Sequence, residues 1–349
     1  MKKSLIALAV LAAAGAASAQ SSVSLYGLVD VYAGNVKNTI AVPGSKAQTA
    51  VNSSGLNNSR WGLRGSEDLG NGLKANFVLE AGFETDTGAA GSLGSTFQRK
   101  STVGLSGAFG SVELGRNYTA YDTLRAVTNN TADTNVSVTN EVWQNGSTYN
   151  ADGTINVSAD YANRVSNSIR FDSAVYGGFS GSVAYGFGED KTATTDATDN
   201  LSLHVKYANG PLLVGYAYQQ QNTANSANKD TKFNLLAGSY DFGVAKLVAG
   251  YNTVKRQQTV TLGGEDKEYQ FGVQAPLGAV TLYAGYANSE NETTGGVTVS
   301  ERSGYNLAAT YALSKRTTAY AGYKNIEIDS GAGKGNEINA FAVGVRHTF

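Results

Sequence analysis

The sequence contains no cysteine, so neither a disulfide framework nor a thiolate metal site is available to it. It has only two histidines, His204 and His347, in separate parts of the chain. That leaves little material for a catalytic triad or a histidine metal centre. Charge is nearly balanced, with 27 Lys and Arg against 28 Asp and Glu. A chain so balanced lacks the positive field that nucleic acid binding requires. Beyond the first 19 residues, no apolar run approaches the ~20 residues of a membrane helix. One acidic turn, Asn150-Ala151-Asp152-Gly153, hints at oxygen ligands for calcium. It lacks the rest of a calcium loop and reads better as a hairpin turn. These absences point away from an enzyme, a helical membrane protein and a nucleic-acid binder, and no cofactor or metal is expected.

The N-terminus has its own logic. Lys2 and Lys3 precede an apolar run from Ser4 to Ala16, and Ala17-Ser18-Ala19 supplies small residues. This is the pattern of a secretory signal cleaved after Ala19. Residues 1–19 are therefore assigned to the signal and 20–349 to a single domain. Without Lys2 and Lys3, 25 basic side chains face 28 acidic ones, a net charge of about −3. Glycine is abundant, with 42 in 349 residues, about 12% against an average near 7%. Twenty tyrosines and twelve phenylalanines accompany only three prolines, a composition suited to closed antiparallel sheet.

Alternation is the strongest pattern. Tyr269, Phe271, Val273 and Ala275 alternate with Glu268, Gln270 and Gln274. Val280, Leu282, Ala284 and Tyr286 repeat the period, as do Tyr305, Leu307, Ala309, Tyr311 and Leu313. Leu73, Ala75, Phe77, Leu79, Ala81 and Phe83 face away from Lys74, Asn76, Glu80 and Glu84. Period two over about ten residues marks a strand with one apolar and one polar face, the signature of a transmembrane barrel strand. Connections alternate in length too. Short turns at 68–72, 108–110, 208–211, 242–243, 276–278 and 314–316 contrast with long polar loops at 36–58, 191–200, 222–229, 289–302 and 329–335. This predicts an all-β, closed antiparallel transmembrane barrel of about 16 strands, with turns at one rim and loops at the other. A soluble all-β adhesin or propeller is the alternative.

Thr119 to Ala162 breaks the rule, because it holds no long strand pattern. Loops this long are uncommon in compact domains and usually functional. Folding into the wide polar interior of such a barrel would narrow it; an external loop with short hairpins is the competing arrangement. Arg60, Gly62 and Arg64 share a strand face opposite Trp61 and Leu63. A lipid-facing charge costs ~2–4 kcal/mol at mid-depth, so the arginines should face the interior.

These segments resemble the general porins of Gram-negative bacteria, especially the trimeric beta-proteobacterial type. The resemblance runs from Ser22 to Phe349. It is carried by Val23-Ser24-Leu25-Tyr26-Gly27, by Ser59 through Gly70, by Val103-Gly104-Leu105, by Glu113 through Tyr118 and by Gly344 through Phe349. It implies a water-filled diffusion channel in a Gram-negative outer membrane, passing small hydrophilic solutes and ions. A substrate-selective channel for sugars or anions is the alternative, ahead of an outer-membrane barrel enzyme. It also implies a homotrimer embedded in outer-membrane lipid, and outward small residues at Gly82, Ala284 and Ala309 suit close packing between copies. Phe341, Val343, Val345 and Phe349 share a face of the last segment. In this family the terminal phenylalanine and the alternate apolar residues are read by the barrel-assembly machinery. The resemblance further implies an arginine ladder at Arg60, Arg116 and Arg164, with Arg64 as a further basic position. Asp122, Asp133 and Glu141 are the loop carboxylates expected to face it.

Overall fold

The computed structural model describes residues 22–39, 46–91, 95–129, 131, 136–143, 148–149, 155–157, 161–194, 196–222, 230–256, 264–293, 295–330 and 333–349. The signal-like segment, Asp133 and residues 150–153 lie outside this set.

Sixteen antiparallel strands close on themselves. They are β1 (Ser22–Asn38), β3 (Arg60–Gly70), β4 (Leu73–Gly82), β5 (Lys100–Gly107), β6 (Gly110–Tyr118), β9 (Arg164–Ser173), β10 (Phe179–Gly186) and β11 (Asn200–Asn209), then β12 (Leu212–Gln221), β13 (Thr231–Asp241), β14 (Lys246–Arg256), β15 (Gly264–Leu277), β16 (Val280–Thr293), β17 (Thr298–Ala312), β18 (Thr317–Ser330) and β19 (Gly333–Thr348). Each pairs with its neighbour in chain order, and β1 closes on β19 from Leu28↔Thr348 to Asn38↔Ile338. Closure leaves no open edge, which lipid would not tolerate. A further short strand, β2 (Gln48–Ser53), folds back on the upper half of β1, where Val31 faces Ser53. The lower half of β1 pairs with β3 instead. The short strands β7 (Thr148–Tyr149) and β8 (Ile155–Val157) form a separate hairpin.

The apolar band is on the outside. Leu25, Val103, Leu114, Tyr216, Leu236, Phe271 and Leu307 are all exposed, while Ser202, Gln219, Asn252, Glu268 and Asn306 are buried inside. The turn rim is built with glycine where the backbone demands it. Gly70-Asn71-Gly72 between β3 and β4 has φ of 87°, 53° and 79°, a left-handed run that side chains with a Cβ resist.

The structure corrects three sequence expectations. The long loops placed at 289–302 and 329–335 are mostly strand: β16 and β17 run to Thr293 and from Thr298, and β18 and β19 run to Ser330 and from Gly333. Polar residues there extend hairpins beyond the apolar band, so hydrophilicity did not mark a loop. Likewise residues 36–58 contain the end of β1 and all of β2. Gly82 does not face outward. It pairs with Arg60, and a Cβ on it would meet the Arg99 side chain at 3.2 Å. Ala284 and Ala309 do sit on the outer face, opposite exposed Leu307 and Leu282 respectively.

The described part of the segment between β6 and β9 folds into the barrel. It begins with helix α1 (Ala120–Arg125), a 3-10 turn (Ala126–Thr128) and helix α2 (Thr139–Val142). Thr119 caps α1, its hydroxyl accepting from the Asp122 amide at 3.2 Å. Tyr121, Leu124, Val138, Val142 and Trp143 pack with Phe233, Leu235, Ala217 and Ala237 of the wall in an apolar core inside the barrel. The wall makes room with small residues. A Cβ on Gly215 would lie 2.7 Å from Leu124, one on Gly250 2.5 Å from Thr128, and one on Gly322 2.6 Å from Val136. The loop between β1 and β3 is held by Asp30, which is wholly buried. Its carboxylate accepts from the amides of Gly55, Leu56 and Asn57 at 3.0, 2.9 and 2.8 Å and from the Tyr320 hydroxyl at 2.5 Å.

Candidate pore constriction

Alternation in β3 turns Arg60, Gly62 and Arg64 inward, as the sequence predicted. Gly62 lies between Tyr26 and Glu80 on this face, paired with both. A Cβ there would lie 2.8 Å from the Tyr26 hydroxyl, so only glycine leaves the phenol its path. The Tyr26 hydroxyl donates to Glu80 Oε2 at 3.0 Å, and the Arg64 guanidinium sits 5.2 Å from the centre of the Tyr26 ring. Glu80 Oε1 receives Arg99 Nε at 2.7 Å, and Arg60 Nε stands 3.7 Å from Glu80 Oε2. Arg99 then donates to the Tyr118 hydroxyl at 3.0 Å, and Arg164 donates to the same oxygen at 2.8 Å. Arg164 also lies over the Tyr118 ring, 4.3 Å from its centre, a cation–π contact. Four guanidinium groups therefore gather around one carboxylate and two phenols.

A bulge makes this possible. Gly115 pairs with Ser168 but Asn117 pairs with Val165, and Gly115 has φ of 125°. The irregularity releases the end of β6 from strict alternation, and Tyr118 reaches the arginines. Arg116 makes no hydrogen bond or ion pair with Glu80, Tyr26 or Tyr118 among the described residues. Paired with Ser101 across β5, it sits two residues beyond exposed Leu114. It donates to the Gln98 carbonyl at 2.6 Å and to the Ser166 hydroxyl at 3.0 Å. Beside the same bulge, Tyr118 and Arg116 take different hydrogen-bond partners.

The loop carboxylates have partners of their own. Asp122 accepts from the Tyr161 hydroxyl at 2.5 Å, and Glu141 pairs with Lys324 of β18 at 2.8 Å. Arg302 of β17 donates to the Glu141 main-chain carbonyl at 3.0 Å. Thr139 donates to Gln270 at 3.3 Å and Tyr121 to Asn252 at 2.7 Å, pinning the loop to the opposite wall. Arg125 is buried within the loop, 4.7 Å over Tyr161 and bonded to Asn140 at 2.7 Å. Among the described residues, three further ion pairs of the wall match one cation to one carboxylate: Lys100–Glu113 at 2.8 Å, Arg170–Asp172 at 2.6 Å and Arg256–Asp266 at 2.5 Å.

Sequence reasoning missed Arg99, Glu80 as its acceptor, and Lys324. Arg99 lies just before β5, where alternation does not apply; its amide donates to the Glu80 carbonyl at 3.2 Å. Only the run Gln98-Arg99-Lys100 at a strand entry could have flagged it. The histidines are structural. His204 Nδ1 lies 2.7 Å from the Ala120 carbonyl and His347 Nδ1 lies 2.9 Å from the Thr317 hydroxyl. Among the described residues, no three His, Cys, Asp or Glu side chains are grouped to hold a metal ion. Phe341, Val343 and Val345 of β19 and Phe349 just beyond its end are all exposed. Phe349 exchanges backbone bonds with Gly27, and a Cβ on Gly27 would lie 2.5 Å from its ring.

Comparisons with known proteins agree with this architecture. Residues 5–331 match the sequence profile described as Gram-negative porin. The chain is 35% identical to outer membrane porin protein 32 of Delftia acidovorans and 31% identical to an outer membrane porin protein of Bordetella pertussis, covering both chains fully in each case. The solved structure of an anion-selective porin from Comamonas acidovorans superposes with a TM-score of 0.79 at 29% identity, over 95% of this chain and all of that one. OmpT of Vibrio cholerae shares the fold, at a TM-score of 0.69 and 15% identity over 94% of this chain and 98% of that one.

Proposed function

This chain belongs to the Gram-negative porin family and is an outer-membrane β-barrel channel, and from that premise we propose that it is a general diffusion pore with a preference for small anions. The observation that carries this reading is the imbalance at Glu80. Arg99 and Arg60 stand against Glu80, the only carboxylate that the contacts of this group include, Arg64 and Arg164 stand against the phenols of Tyr26 and Tyr118, and Glu141 is already neutralised by Lys324. Guanidinium stays protonated at any relevant pH, so the field is permanent. Charge fixed on the wall of a narrow aqueous pore raises the local concentration of the opposite ion. The inward loop supports the placement, because it fills the side of the interior facing this group and leaves the solute path along the arginines. The anion selectivity named for the Comamonas porin favours the same sign. The test is a planar-bilayer measurement across a KCl gradient. A reversal potential of the sign for chloride is expected; a cation-selective channel would overturn the preference.

Three further parts belong to the same proposal. Residues 1–19 are removed on export, which the mass of the purified protein would report. The outward row ending in Phe349 serves as the signal for barrel assembly, so Phe349→Ala should lower the amount inserted in the membrane. The working form is a homotrimer, and sedimentation in mild detergent at monomer mass would exclude it. A catalytic role finds no support in a site built of arginines, phenols and one paired carboxylate.

A further inference from the structure

An open cavity of mixed lining lies at the loop rim, between the end of the inward loop, the start of β9 and the loop joining β10 to β11. Its volume is about 570 Å³, and Arg164, Glu189, Asp190, Asp199 and Asn200 are among the residues that line it. This is within the range of pockets that hold small organic molecules. The loop closes tightly there: a Cβ on Gly188 would sit 1.8 Å from the Thr198 carbonyl oxygen. Asp190 is held in place by the Thr198 amide at 2.8 Å and the Thr198 hydroxyl at 2.9 Å. Those two bonds hold its carboxyl below the usual carboxylate range, so it is charged at neutral pH. Asp199 accepts from the Tyr185 hydroxyl at 2.8 Å.

Asn200 is the residue that the fold does not explain. The residue is 6% exposed, yet neither its amide nitrogen nor its amide oxygen has a partner among the described residues. The Nε of Arg164 is buried and unpartnered in the same way. A buried amide without partners costs free energy, and such groups are rare in native structures. One donor and one acceptor side by side complement a group that also offers both, as a peptide bond does. The charges narrow the choice. A simple anion would be opposed by three carboxylates and a simple cation by Arg164. A molecule with a carboxylate at one end and an ammonium at the other answers both signs.

We propose that this cavity is a docking subsite for zwitterionic solutes, free amino acids and short peptides, on their way into the pore. The carboxylate of the solute meets Arg164, its ammonium meets the carboxylates of the β10–β11 loop, and its amide meets Asn200. The proposal rests on the interior being a solute path, since Arg164 also belongs to the arginine group around Tyr118.

The probe is glycylglycine added to the loop side of single channels in planar bilayers, against its N-acetylated, C-amidated analogue of similar size. Glycylglycine should interrupt the current at a concentration about tenfold lower than the capped analogue. Asn200→Leu should raise that concentration about tenfold, the usual scale for losing a well-placed buried hydrogen-bond pair. A double variant of the exposed loop, Glu189→Gln with Asp190→Asn, should do the same, and it leaves the buried wall untouched. Heat-modifiability checks that each variant forms a barrel. Equal block by the two peptides, or unchanged block in both variants, overturns the proposal. The KCl reversal potential is read on the same channels. If it keeps its sign while the peptide effect is missing, the subsite fails alone; if it is of the cation sign, the pore reading fails.

Discussion

Replacing Arg99 with glutamine tests the pore reading at its centre. Arg99 is the link between Glu80 and Tyr118, and its loss takes the local balance from four cations against one carboxylate to three against one. For a monovalent ion passing about 5 Å from the removed charge in water, the Coulomb energy is ~0.8 kcal/mol. Screening at 0.15 M, with a Debye length of about 8 Å, halves this to ~0.4 kcal/mol. Anions lose that much and cations gain it, so the permeability ratio should shift towards cations on the order of fourfold. The barrel should survive, because Glu80 keeps the Tyr26 hydroxyl and the nearby Arg60. Arg99→Lys keeps the charge and should keep most of the selectivity. The assay is the reversal potential across a tenfold KCl gradient, repeated at 1 M salt, where the effect should shrink as the Debye length falls to about 3 Å. A ratio unchanged at low salt in Arg99→Gln, and also in Arg60→Gln and Arg164→Gln, would refute the placement of the constriction.

Other consequences can be checked on purified protein. Deleting residues 130–138 removes buried Val136 and Val138 from the inward loop; it should raise single-channel conductance on the order of twofold and admit larger neutral sugars in liposome swelling. An unchanged size limit in a folded deletion would mean that the wall alone narrows the pore. Lys324→Met leaves Glu141 without its counter-ion, and the carboxylate should pull selectivity towards cations, an effect that adding Glu141→Gln cancels. The stability cost should be about 1–2 kcal/mol, below the ~3–5 kcal/mol of a fully buried pair, because the Glu141 side chain is 36% exposed. Asp30→Ala strands three amides and a phenol, and a loss of about 3–5 kcal/mol should appear as a lower temperature of heat modification. Asp30→Asn, which keeps an acceptor oxygen, should be milder; equal heat stability of Asp30→Ala and the native protein would show that the loop anchors itself elsewhere.

The barrel itself was legible in the sequence because lipid imposes a local rule. Every membrane-crossing strand must present apolar side chains outward, and backbone pairing must close, so Tyr269, Phe271 and Val273 alternate with Glu268 and Gln270 wherever the chain folds. The same rule placed Arg60 and Arg64 inside, and the missing strand pattern from Thr119 to Ala162 marked the loop that fills the interior. What alternation could not reach is what lies where strands end. Tyr118 and Arg116 are neighbours but for one residue, yet the bulge at Gly115 joins one to the arginine group and gives the other separate partners. Arg99 enters from just outside β5, and Lys324 takes Glu141 from a strand 183 residues away in sequence. Hydrophilic hairpins such as 289–302 look like loops because polar composition is the same above the membrane whether or not the strands continue. Period and composition are properties of short segments, so the sequence alone could determine the wall. Which charges meet across the interior depends on closure and on how the loop packs against Gly215, Gly250 and Gly322, and only the tertiary structure decides that.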